Sequence, residues 1–94
     1  MKKVISDNMQ DTINVNDCSE DKIYCCTCAN KNYYKLSRIS NNHYAFINLD
    51  ISNGLYNNTG NFADIIERAL ITAQDVFEFN NINEFANWLN ARIN

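Results

Sequence analysis

Apolar residues recur at every second position in several short stretches of the chain, and at every third or fourth position in two longer ones. A period of two marks strands and a period near 3.6 marks helices. Residues 62–74 place Phe62, Ile65, Ile66, Ala69, Leu70 and Ala73 on one stripe, which predicts a helix. Gly60 ends the loop before it and Asn61 stands where an N-cap is needed. Asp64 in the first turn suits the helix dipole, and pairing with Arg68 adds about 0.2–0.5 kcal/mol. A second helix is predicted over 82–93, burying Ile82, Phe85, Ala86, Leu89 and Ile93 with Trp88 at the rim. Asn81 followed by Glu84 resembles a capping box.

Strands are predicted over 33–40, 43–51 and 76–79, and Ile23–Cys28 is a strand if its cysteines are core thiols rather than a metal knuckle. Asn41-Asn42 supplies two residues that tolerate positive φ, as a tight hairpin turn requires. In 43–51, Ala45, Ile47 and Leu49 oppose Tyr44 and Phe46, so both faces need cover. Asn53-Gly54 is the strongest hairpin signal and should return Leu55-Tyr56 alongside Ile51. The order β-β-β-α-β-α predicts an α+β fold, with two helices on one face of a small, mostly antiparallel sheet. Residues 1–21 are polar and acidic, with Val4, Ile13 and Val15 too sparse to specify an element. They read as a loosely ordered N-terminal arm with at most one short strand, before a single domain over 22–94 with a cysteine knuckle at 25–28.

Composition narrows the class. Ninety-four residues with 46% hydrophobic content allow one domain near the size where a single core barely suffices. The absence of Pro and the presence of only two Gly exclude collagen-like and flexible-linker readings. Abundant Asn, Ile, Tyr and Lys suit an AT-rich coding sequence. The positive start is followed by no apolar signal core, and no stretch reaches the roughly 20 apolar residues of a membrane span. The expected compartment is the cytosol, with thiols reduced.

In that compartment Cys18, Cys25, Cys26 and Cys28, crowded into one short window, suggest thiolate ligation of a structural zinc. Cys25 and Cys28 have the spacing of a knuckle. Cys18 is a third ligand and His43, beyond the Asn41-Asn42 turn, a fourth. Cys26 points away if the stretch is extended but replaces Cys18 in a tight turn. The zinc would stiffen a small core and pin the acidic arm. The competing readings are buried strand thiols and, less favoured without a surrounding βαβ pattern, a redox pair.

The sequence carries one His, no phosphate-binding Gly loop and no nucleophile elbow, which argues against an enzyme. Asp64 and Glu67 read as a solvated helix face. The net charge of −3 excludes a strongly basic nucleic-acid coat and falls short of a dense DNA mimic. Its distribution is uneven. Residues 22–40 hold Lys22, Lys31, Lys35 and Arg38 without an acid, interleaved with Tyr24, Tyr33 and Tyr34, and the helical half is acidic. Two binding readings follow. One is a protein partner anchored through Tyr33, Tyr34, Tyr56 and Trp88. The other is a small nucleic-acid-binding or transcription-associated module using the basic stripe.

The run Tyr34-Lys-Leu-Ser-Arg-Ile-Ser-Asn-Asn-His-Tyr-Ala-Phe-Ile-Asn-Leu-Asp50, then Asn53-Gly54 and an amphipathic helix, resembles small orphan proteins of phages and prophages from AT-rich Gram-positive hosts. The resemblance covers about residues 33–93 and is one of pattern. Among such proteins, the anti-CRISPR inhibitors of type II Cas9 are most similar in size, acidity and aromatic content. The resemblance implies a non-enzymatic inhibitor in the host cytosol that binds Cas9 and blocks target-DNA loading or cleavage. The mild charge departs from the DNA-mimicking members, and the cysteine cluster is not general to the group.

Overall fold

In a computed structural model, residues 1–5, 12–27, 33–49, 55–72 and 75–93 are described, the side chains of 55–58 and 93 excepted. The elements run β1 (Lys2–Ile5), β2 (Thr12–Asn14), a 3-10 turn (Val15–Asp17), β3 (Ile23–Thr27), β4 (Tyr33–Ser40), β5 (His43–Asn48), β6 (Leu55–Gly60), α1 (Phe62–Ile71), β7 (Asp75–Phe79) and α2 (Ile82–Ile93). The seven strands form one sheet in the order β2-β1-β7-β3-β4-β5-β6. Among the described residues, only β1 and β2 pair in parallel. The α+β class, the mostly antiparallel sheet and the two helices agree with the sequence reading.

Two features differ from that reading. The segment 1–21 contributes strands: Lys2–Val4 pair with Val76–Glu78 of β7, and β2 adds to the outer side of β1. Val4 is fully buried there and Ile13 and Val15 pack against the same core, while the adjacent strand supplies the backbone partners. The helices also lie on opposite faces rather than on one. Ile65, Ile66 and Ala69 of α1 pack with Tyr24, Cys26, Tyr34, Tyr44, Phe46 and Val76. Phe85, Trp88 and Leu89 of α2 pack with Ile23, Cys25, Tyr33, Phe77 and Phe79. The cause is visible in β3 and β7, where consecutive residues are apolar and therefore load both faces. Each face needs its own helix, and each large side chain so buried contributes about 1.5–3 kcal/mol.

Local chemistry sets the boundaries. The Asn61 side chain accepts a hydrogen bond from the Asp64 N–H at 3.0 Å, and its amide donates to the Asp64 carboxylate at 2.9 Å. The α1 helix stops at Ile71, with Thr72 N–H donating to the Arg68 carbonyl, short of the predicted 74. Asn81 caps α2 by accepting from Glu84 N–H at 2.9 Å. The Glu84 carboxylate turns instead to the Met1 ammonium and the Asn80 amide, so only half of the predicted capping box forms. In the β4–β5 hairpin Asn42 alone, among the described non-glycine residues, has positive φ, at 63°. A register shift between Arg38 and Ser40 supplies the remaining twist. Leu55 of β6 pairs with Ile47 of β5; Ile51 and the Asn53-Gly54 turn lie outside the described residues.

Candidate functional site: a groove between diverging strands

Pairing along β3 is uneven. Against β7 it runs from Ile23 to Thr27, but against β4 it covers only Cys25–Thr27, opposite Tyr33–Lys35. Beyond Lys35, β4 continues to Ser40 with β5 as its neighbour. The two strands therefore part, and a groove of about 420 Å³ opens between residues 20–23 and 35–38.

Phe62, the first residue of α1, forms the floor. Its ring meets Tyr24 of β3 and Tyr44 of β5 edge-on, each at 5.5 Å between centroids, and so spans the gap. Edge-to-face aromatic pairs add about 0.5–1.5 kcal/mol beyond burial. The walls carry both signs of charge: Glu20, Asp21 and Lys22 on one side, Lys35 and Arg38 on the other. The Lys22 ammonium donates to Asn80 Oδ1 at 2.9 Å, and Arg38 Nη2 to Asn41 Oδ1 at 2.6 Å. Desolvation, followed by hydrogen bonding to the Glu20 carboxylate, pushes the Tyr44 phenol above the ordinary tyrosine range.

A polar network lies behind the groove. Tyr24, 1% exposed, donates its phenol proton to Glu78 Oε2 at 2.8 Å and accepts from Ser19 N–H at 2.7 Å. Burial, more than the adjacent carboxylate, drives the Tyr24 phenol well above its usual range. The Cys18 thiol is raised to about 11, chiefly by burial; the Tyr24 hydrogen bond opposes the rise, and Glu78 and Asp17 add to it. Burial likewise raises Cys25 to about 12. Both shifts favour the protonated thiol over the nucleophilic thiolate at neutral pH.

The residues expected to hold zinc are dispersed. Cys18 packs on the α1 face of the sheet, whereas Cys25 is buried on the α2 face with Phe79 and Phe85. Cys26 is fully buried among the core residues of the α1 face. His43 is exposed, with Nδ1 against the Asn41 carbonyl at 3.0 Å. It stands four residues along β5 from Ile47, the residue level with Lys35 and Cys25, hence about 13 Å away along the strand direction. Cys28 lies outside the described residues. Among the described residues no three His, Cys, Asp or Glu side chains gather in a way that could hold a metal ion. Cys18, Cys25 and His43 thus do not fit one closed tetrahedral site, and the buried-thiol alternative describes Cys25 and Cys26.

The expected anchor residues are placed mainly in the core. Tyr34 is buried on the α1 face. Tyr33 is half-buried and edge-on to Trp88 at 5.9 Å. Trp88 packs against Phe77 and Phe79 at 5.2 Å each, with the Arg92 guanidinium 4.5 Å from its ring centroid. Tyr56 belongs to β6, but its side chain lies outside the described residues. The basic stripe fares better: Lys22, Lys35 and Arg38 converge on the groove, and Lys31 lies outside the described residues. Sequence reasoning missed Glu20 and Asp21 as partners of that stripe, because they fall in the segment assigned to the arm.

No protein-family model, no curated protein and no solved structure matches the chain. Among the described residues no helix is long and apolar enough to cross a membrane.

Proposed function

We propose that this protein is a non-enzymatic inhibitor that acts by binding another protein, with the Cas9 nuclease of a type II CRISPR system as that partner, and that it blocks target-DNA loading or cleavage. The supporting observation is the groove between β3 and β4, lined by cations and carboxylates together. A phosphate backbone asks for cations alone, and the carboxylates of Glu20 and Asp21 would repel it. A protein surface presents both signs and rewards complementary pairing of each. The choice of partner rests on the pattern resemblance of residues 33–93 to the Cas9-directed inhibitors. Zinc has no part in the proposal, because Cys18 and Cys25 occupy opposite faces of the sheet.

The test is a cleavage assay with guide-loaded Cas9 and a linear DNA target. Stoichiometric addition of the protein is expected to suppress cleavage, with a stable complex on gel filtration. Undiminished cleavage and no complex would contradict the reading. A mobility shift of single-stranded DNA with a steep salt dependence would favour the nucleic-acid-binding alternative instead.

A further inference from the structure

We infer that a thiophilic divalent cation such as zinc is a negative effector of this protein: it binds the cysteines of residues 18–28 only when β3 has left the sheet, and so draws the fold apart. The inference is independent of the protein-binding reading above. Cys25, Cys26 and Cys28 place three sulfurs within four residues, and Cys18 lies seven residues before Cys25. In an opened chain such close ligands chelate one ion at little cost in loop-closure entropy, and the spacing of Cys25 and Cys28 is one that zinc accepts. The folded chain denies that geometry. Consecutive side chains of a strand point to opposite faces, and Cys25 and Cys26 are fully buried on opposite faces of the sheet. Burial also favours the protonated form of the Cys18 and Cys25 thiols, which is not the ligating one.

The position of β3 makes the effect global. It is the fourth strand of the seven, paired with β7 on one side and β4 on the other. Cys26 belongs to the core of the α1 face and Cys25 to the core of the α2 face. Withdrawing this strand to wrap an ion divides the sheet and opens both cores, so metal capture and unfolding are one transition. Each thiol that ligates gives up its proton to the buffer. An ion that binds only the unfolded chain lowers the folded-to-unfolded ratio about tenfold for each tenfold rise in its free concentration above the dissociation constant.

The experiment is urea unfolding of the full chain at neutral pH, with a phosphine reductant present and free zinc set by a metal buffer. The urea midpoint is expected to fall as free zinc rises into the micromolar range, and to return when EDTA is added. Cobalt in place of zinc is expected to give thiolate charge-transfer absorption in the unfolded chain and none in the folded one. Magnesium, which takes oxygen ligands, is expected to have no effect. Cys28→Ser, one residue beyond β3, is expected to need at least about tenfold more free zinc for the same fall, measured from its own zinc-free midpoint. Should that variant not fold, Cys18→Ser takes its place. A midpoint that zinc raises or leaves unchanged would overturn the inference. The same holds for a fall that EDTA does not reverse, an equal fall with magnesium, an equal zinc response in the variant, or thiolate absorption in the folded chain. None of these readouts involves Cas9, so their failure leaves the proposed function standing.

Discussion

Tyr24 and Glu78 face each other across β3 and β7, and the phenol donates to the carboxylate at 2.8 Å. The same oxygen accepts the Ser19 N–H, so one side chain ties the segment before β3 to the middle of the sheet. Tyr24→Phe keeps the ring against Phe62 but removes both bonds. It is expected to lower unfolding stability by about 1–3 kcal/mol, read as a lower urea midpoint at unchanged m-value.

Stability should fall on the alkaline side. Cys18 and Cys25 have raised values of about 11 and about 12 in the folded chain, against 9.0 when unperturbed, and Tyr24 shifts in the same direction. The folded state therefore holds these protons more tightly than the unfolded state. Their contribution is complete below pH 9.0 and is lost as pH rises through about 11 and about 12. Urea midpoints measured from pH 8 upward are expected to decline steadily from about pH 9, and Cys25→Ala should flatten the decline.

Cys25 and Cys26 are fully buried as thiols on opposite faces. Native protein should react with Ellman's reagent at these positions only at the rate of unfolding. Excess EDTA should leave Tm unchanged within about 1 °C, whereas a structural metal would be worth many degrees. Serine at Cys26 places a hydroxyl among apolar side chains and is expected to cost about 1–3 kcal/mol.

Phe62 supports both walls of the groove through its contacts with Tyr24 and Tyr44. Phe62→Ala should cost about 2–4 kcal/mol, less than a fully enclosed phenylalanine at the upper end, because the ring is only half-buried. Thermal denaturation measures it, and Phe62→Leu should recover a large part of the loss.

Much of the fold was legible in the sequence wherever local chemistry decided it. Asn61 and Asn81 cap the helices as their side chains predict, and the stripe Ile65, Ile66, Ala69 lies on the core. The opposite placement of the helices was written in the two-faced apolar runs of β3 and β7, but periodicity alone does not say which helix covers which face. The strands at 2–5 and 12–14 were not legible, because partners far along the chain make them strands. The groove has the same origin: it arises where the β3–β4 ladder stops at Lys35, a non-local event. The basic stripe pointed toward it, while the tyrosines among those residues went largely into the core because aromatic burial outweighs exposure.

The most direct test of the account is the affinity of the double variant Lys35→Glu/Arg38→Glu for guide-loaded Cas9, beside wild type, by biolayer interferometry. Both substitutions sit on the groove wall rather than in the core, so Tm should change little. The account predicts binding by the wild type and at least a tenfold weaker Kd for the variant, about 1.4 kcal/mol or more. Equal affinities for the two proteins, or no wild-type binding at all, would contradict it.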